Sequence, residues 1–205
     1  IDWPEAGGLP EVFTTAHDAI FTQCGLKSGE RLLVHGGAGG VGTAAIQLGA
    51  AAGAHVTATV RNADLRDQVA ALGAHDVIDP EGFASHGPFD VILELVGAPN
   101  MPSNLKAVNT DGRIVVIGVG AGFKADVNLL AIMGKRATLR GSTLRASAAA
   151  PLRDGEMLAA LDLGSNSFHM VVAQTVLGQL RVVDRLRETV RMAEGLDGFG
   201  GLAPD

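Results

Sequence analysis

Short apolar runs alternate with stretches of helical periodicity along most of the chain. Runs at 32–34, 55–60, 76–79, 89–96 and 113–117 are continuous in aliphatic or β-branched residues, as strands buried on both faces are. A more polar sixth run lies at 137–144. Between them the spacing predicts helices. Over 11–24, Val12, Ala16, Ala19 and Ile20 form an apolar stripe with Phe13 beside it, and Gly25 is placed as a C-terminal stop. The Ala-rich stretch 43–52 has helix propensity and no breaker but Gly49. Over 64–72, Leu65, Val69 and Leu72 recur at i, i+4 and i+7, and Gly73 ends the run. Shorter helices are expected at 104–108 and 129–134, a turn at Asp111-Gly112, and loops at 1–10 and 80–88. Strands alternating with helices mean βαβ units, a parallel sheet of about six strands and right-handed crossovers.

The glycines between the first strand and its helix sharpen this to a doubly wound Rossmann sheet. Gly37, Gly39 and Gly42 fill a G-x-G-x-x-G spacing between a strand and a helix, the context in which that spacing carries meaning. Gly37 is expected to allow the sharp turn, Gly39 to let a pyrophosphate approach the main chain, and Gly42 to let the helix pack closely. The first-turn amides of Gly40, Val41 and Gly42 then face the phosphates, favoured by the helix dipole. A tight turn without a ligand is the competing explanation. The second strand ends in Val60-Arg61-Asn62, with no carboxylate where an NAD-preferring site has one. Arg61 is placed to meet a 2′-phosphate, which favours NADPH over NADH. An ordinary surface arginine is the alternative, and Asp64 keeps NADH open. Ligands of open α/β sheets bind beyond the carboxyl ends of strands. That rule adds Gly97, Gly118, Val119 and Gly120 as cofactor-contacting candidates.

Composition narrows the class without changing it. Apolar residues make up 47% of the 205 and charged ones 19%, so the chain is globular. A net charge of −6 with no basic cluster argues against nucleic acid as a partner. No apolar run is long enough to span a bilayer and no signal peptide opens the chain, so no membrane partner is expected. Cys24 is the single cysteine; an internal disulfide and a cysteine-built metal site are excluded, which fits a cytoplasmic location. It is read as buried packing. His35, His55, His75 and His86 lack metal-ligand spacing and are read as surface or satisfied core residues, so no metal site is expected. No residue stands out as catalytic. The chain opens without Met, which suggests a longer parent.

GLPEVFTTAHDAIF, SGERLLVHGGAGGVGTAAIQLGAAAGAHVTATVR, LGAHDVID, FDVILELVG, GRIVVIG and KRATLRGSTLR, in this order over 9–145, resemble the cofactor domain of the medium-chain dehydrogenase/reductase superfamily. The closest branch looks like the zinc-free quinone oxidoreductases and their enoyl-reductase relatives. The resemblance implies a six-stranded Rossmann domain over 1–146, NADPH as cofactor, and hydride transfer to a quinone or an activated C=C bond. It also implies homodimers joined edge to edge through 137–144. Thr15-Ala16 match a threonine-alanine pair of the family, which puts Thr15 near the nicotinamide. Family members carry a GroES-like barrel before this domain, and none precedes it here. Half a cleft is expected to bind NADPH yet turn over poorly, because orientation supplies much of the rate. The alternative is a non-catalytic chimeric folding unit with a vestigial nucleotide site.

Beyond a small-residue linker at 147–156 the character changes. MLAALDLGSNSFHMVVAQTVLGQLRVVDRLRETVRMAEGL, within 157–205, resembles the start of exopolyphosphatase and guanosine pentaphosphate phosphatase proteins, of the actin/Hsp70 ATPase fold. The resemblance implies that Asp162-x-Gly164-Ser165-x-Ser167 is that fold's first phosphate loop, and that Phe168–Val176 and 180–186 form a hairpin turning at Leu177-Gly178. About forty residues are matched, the catalytic carboxylate is absent, and no phosphatase activity is expected. The chain thus reads as an in-frame fusion of two truncated pieces. A helix is expected over 152–161, with the start of a strand as the alternative. Composition suggests a helix at 187–194 against an extended parent conformation. Pairing of Phe168–Val176 with another chain's edge is a further alternative.

Overall fold

The computed structural model describes residues 9–143, 157–163, 168–176 and 179–188. The chain divides into two compact units, Ile1–Ser147 and Ala148–Asp205. The first contains β1 (Arg31–Val34), β2 (His55–Thr59), β3 (Asp76–Ile78), β4 (Phe89–Glu94), β5 (Val108–Val116) and β6 (Thr138–Gly141). They form one six-stranded sheet in the order β3-β2-β1-β4-β5-β6, every pair parallel. The order reverses between β1 and β4, which is the topological switch point of a doubly wound sheet.

Side chains of a strand alternate between faces, and both faces are covered. Leu32, Val34, Val56, Ala58, Val91, Leu93 and Val115 pack on one side with Ala16 and Ile20 of the first helical run, and with Ala44, Ala45 and Ile46 of the glycine-turn helix. Leu33, Ile92 and Ile114 point the other way, onto Phe83, Phe89, Leu105 and Val108. The helical elements are α1 (9–23), α2 (Gly40–Ala51), α3 (Arg66–Ala71), α4 (Met101–Ala107) and α5 (Leu129–Lys135). In α1 only Thr14–His17 is regular; Leu9–Phe13 and Asp18–Gln23 are wound more widely, as π turns. Gly49 sits inside α2 because a Cβ there would lie 2.7 Å from Leu32 Cδ2, so the helix-weakening residue permits contact with β1.

Several boundaries differ from the apolar pattern. α4 begins at Met101 rather than 104, since Pro102 is tolerated in a first turn whose amides have no intrahelical acceptor. β5 begins at Val108, which pairs with Phe89; the register then shifts, and pairing resumes at Arg113 opposite Val91. The expected turn at Asp111-Gly112 is thus an interruption within one strand, with Asp111 at φ +58°. β6 covers only Thr138–Gly141 of the expected 137–144. The loop at 80–88 carries a short helical turn, Phe83–His86, which buries Phe83.

In the second unit β7 (Met157–Leu163), β8 (Phe168–Val176) and β9 (Gln179–Glu188) form an antiparallel sheet in sequence order. Three expectations are corrected here. The helix over 152–161 is replaced from Met157 onward by β7, whose Leu163 pairs with Phe168; 152–156 lie outside the described residues. Arg187 and Glu188 end β9 opposite His169 and Phe168, so they are extended and not helical, while 189–194 lie outside the described residues. β8 is central, with both edges paired inside the chain, and is not available to another chain's edge. In the first two cases long-range pairing overrides local helix propensity. Val176 pairs with Gln179 at the closed end of the β8–β9 hairpin; Leu177 and Gly178, where the turn is expected, lie outside the described residues.

Candidate functional site

The site grows out of the end of β1. His35 N donates to Leu93 O (3.0 Å) and Gly37 N to Thr59 O (3.0 Å), so the ladder is carried past Val34 towards both neighbouring strands. Gly36 turns the chain with φ +63°, a left-handed conformation that favours glycine. Gly39 N then donates to Gly36 O at 2.9 Å, and Gly39 starts α2 from an extended conformation. The turn's left-handed residue is therefore Gly36, whereas the spacing points to Gly37. Gly37 is required for packing instead, because its Cβ would lie 2.9 Å from Ala58 Cβ. A Cβ on Gly42 would lie 2.3 Å from Gly36 O, so this glycine lets α2 rest on the turn itself. Gly40 borders α1, its Cβ direction 3.0 Å from Val12 Cγ1. Gly39 differs from all of these: a Cβ there meets only Gly36 O, at 3.4 Å, and the residue is exposed. The amides of Gly40, Val41 and Gly42 form the first turn of α2 and have no intrahelical acceptor.

A cavity of about 560 Å³ opens at the switch point beside this turn. Gly36, Ala38 and Gly39 line one side, and Leu95, Val96 and Asn100, following β4, line the other. Thr59, Val60, Arg61, Asn62, Leu65 and Pro80 continue the wall from β2, and Gly120 and Ala121 close it beyond β5. Of the sequence-derived candidates, Gly39, Arg61 and Gly120 line the cavity. Gly120 has nothing within 4 Å of its Cβ position. Arg61 is the one charged lining residue and is exposed, and among the described residues no ion-pair partner engages it. Asp64 is not in the wall.

The remaining candidates lie outside the wall. Gly97 and Gly118 are explained by packing, since their Cβ atoms would lie 2.6 Å from Gly122 O and 2.1 Å from Leu95 O; Gly97 also has φ +123°. Val119 is half exposed, and Thr15 lies half-buried on α1. Asn62, Asn100, Leu65 and Pro80 are wall residues that motif spacing does not reveal. The strand-end rule is the signal that reaches some of them, because they follow β2 and β4.

Behind the cavity lies a fully buried polar group of His35, Thr59, Glu94 and Asn104. His35 Nδ1 is 3.2 Å from Thr59 Oγ1 and its Nε2 is 2.8 Å from Asn104 Oδ1. Asn104 Nδ2 donates to Glu94 Oε2 (2.7 Å), while Glu94 Oε1 accepts from the amides of Val96 (2.7 Å) and Gly97 (2.8 Å). Burial pulls the His35 pKa below its ordinary value, outweighing the nearby Glu94 and the Asn104 hydrogen bond. Nothing in the residue spacing joins these groups; only the fold brings them together. His55, His75 and His86 are exposed, and His55 pairs with Asp76 at 2.8 Å. Burial pushes the Cys24 thiol up to about 11, so it is a poor nucleophile. Among the described residues no three His, Cys, Asp or Glu side chains come together to hold a metal ion.

The family model described as zinc-binding dehydrogenase matches residues 40–162, from the first residue of α2 into β7 and past the boundary expected at 146. The NorB protein of the spectinabilin polyketide synthase system of Streptomyces orinoci is 36% identical over 169 residues, covering 77% of this chain and 8% of that protein. The quinone oxidoreductase of Rattus norvegicus is 29% identical over 156 residues, covering 72% of this chain and 47% of its own. Among solved structures, a quinone oxidoreductase of Pseudomonas syringae pv. Tomato DC3000 superposes with a TM-score of 0.65 at 28% identity, over 70% of this chain and 47% of that one. The chain thus spans about half the length of the quinone oxidoreductases it matches. Since the matched stretch takes in more than half of the 205 residues, this chain belongs to the zinc-binding dehydrogenase family.

Proposed function

We propose that the first unit is the NADPH-binding domain of an oxidoreductase of the quinone or enoyl type. One observation carries this reading. Gly39 is a glycine that packing does not require, standing exposed at the start of α2 on the wall of the switch-point cavity. A missing Cβ there serves close approach of a phosphate to the main chain. In this reading Gly37, Gly39, Gly40, Val41 and Gly42 form the pyrophosphate cradle, and Arg61 meets the 2′-phosphate. Gly97, Gly118, Val119 and Gly120 border the nicotinamide half, with Thr15 near the ring. The bound nicotinamide supplies the hydride, and a quinone or an activated C=C bond accepts it. NADH is the weaker choice, because the cavity's charged group is cationic.

Titration of NADPH fluorescence tests this. Gly39→Ala is expected to leave stability within about 0.5 kcal/mol and to weaken NADPH by about tenfold or more. Arg61→Ala is expected to weaken NADPH but not NADH, erasing the preference. Unchanged NADPH affinity in Gly39→Ala rejects the reading. Because orientation supplies much of the rate and the chain spans about half the length of the quinone oxidoreductases it matches, it is expected to reduce quinones slowly.

The outer edge of β6, last in the strand order, suits the edge-to-edge homodimer implied by the family resemblance. No helix among the described residues is long and apolar enough to cross a membrane, and a cytoplasmic location accords with the single buried thiol. For the second unit we retain the reading as an exopolyphosphatase-type fragment fused in frame, supported by the β8–β9 hairpin and by Asp162 on β7. A wholly non-catalytic chimera with a vestigial site is the rival. NADPH-dependent thermal stabilisation separates the two, because a ligand that binds only the folded state must raise the Tm.

A further inference from the structure

The buried group behind the cavity has a single consistent direction of hydrogen bonding. Glu94 receives four donors: the Val96 and Gly97 amides and Asn100 Nδ2 (3.3 Å) on Oε1, and Asn104 Nδ2 on Oε2. An ionised carboxylate can only accept, and four donors match its capacity. The Asn104 amide must therefore turn its NH₂ to Glu94 and its oxygen to His35. That oxygen needs a proton on His35 Nε2, which leaves Nδ1 of the neutral ring as an acceptor. Thr59 Oγ1 then donates to Nδ1 and in turn accepts from Gly36 N, at 3.3 Å. The chain begins at Gly36, on one wall of the cavity, and ends at the amide of Val96, on the other, and that of Gly97 next to it. Among the described residues Glu94 is the one other ionisable group beside His35; the Phe83 ring edge packs against the imidazole, with 4.5 Å between centroids.

We propose that Glu94 and His35 are positioning residues: with Thr59 and Asn104 they form one directed hydrogen-bond chain that fixes the separation of the glycine turn from the 95–100 loop, and with it the fit of a dinucleotide between them. The last clause rests on the cofactor reading above; the chain itself does not. The carboxylate sets the direction. In Glu94→Gln both amides can flip, Asn104 turns its NH₂ to His35, and the imidazole proton moves from Nε2 to Nδ1.

Nitrogen-15 NMR of the imidazole in the full chain, together with NADPH titration, is the test. Wild type is expected to show the neutral Nε2–H tautomer and Glu94→Gln the Nδ1–H form, a change that simple loss of packing does not produce. NADPH dissociation constants are expected to rise about tenfold in Glu94→Gln and in Thr59→Val, with Thr59→Ser close to wild type. In Thr59→Val, amide exchange at Gly97, at the far end of the hydrogen-bond chain, is expected to speed up. The same tautomer in wild type and Glu94→Gln overturns the proposal, as does unchanged NADPH affinity in both disruptive variants. A wild type that fails to bind NADPH rejects the cofactor reading alone; the tautomer and the Gly97 exchange rate then decide for or against the chain.

Discussion

Two glycines three residues apart carry opposite duties. Gly42 is buried, and an added Cβ would lie 2.3 Å from a backbone oxygen that no rotamer change can move. Ala gains at most about 1 kcal/mol of helix propensity over Gly. Overpacking against fixed main chain costs about 1–3 kcal/mol or more. Since a 2.3 Å contact lies far inside van der Waals distance, Gly42→Ala is expected to lose about 2 kcal/mol net, read from the urea midpoint. Gly39→Ala should hardly move that midpoint. The glycine spacing was legible in the sequence, but the division of labour within it was not. Gly36 rather than Gly37 carries the left-handed turn: it bends the chain between His35, whose amide still bonds Leu93 O, and Gly37, whose amide bonds Thr59 O. The His35, Asn104 and Glu94 cluster was illegible for a different reason. Its members come from β1, α4 and β4, and only tertiary folding makes them neighbours.

Strands buried on both faces announce themselves by composition, and β1, β2 and β4 lie where their apolar runs fall. β7 does not, because Met, Leu and Ala at 157–161 suit a helix equally well and only pairing with β8 decides the matter. The interruption of β5 is likewise invisible locally, since Asp-Gly reads as a turn whether or not the strand resumes. Elements are also tied at the lower end of the sheet. Arg113 of β5 reaches Glu30, just before β1, through hydrogen bonds of 3.0 and 2.7 Å, and donates Nε to Cys24 O at the end of α1. Burial works against ionisation of Glu30, but the Arg113 hydrogen bonds and the Lys27 amide outweigh it and hold the carboxyl below its ordinary 4.5. A depressed carboxylate contributes stability that is complete above its unfolded value and lost as pH falls through the folded one. Glu30→Gln is therefore expected to cost about 1 kcal/mol at pH 7 and to flatten the loss of stability below pH 4.5.

For the molecule as a whole, acid sensitivity begins earlier than the carboxylates dictate. His35 is buried and its pKa lies below 6.5, so the unfolded chain binds the extra proton first. Stability is then complete above pH 6.5 and declines as pH drops towards the folded value, before Glu30 and the His55-stabilised Asp76 add their share. Denaturation curves collected every half unit of pH should show this early limb in wild type. Cys24 offers a second view of the same cooperativity. It lies at the junction of α1 with the sheet, is buried, and has no thiol competitor in the chain. With its pKa near 11, it reacts only after α1 lifts away, so the speed of its modification is a clock for that opening. A disulfide reagent in excess should label native chain orders of magnitude more slowly than unfolded chain, and the ratio of the two rates gives the free energy of opening at a single covalent reporter.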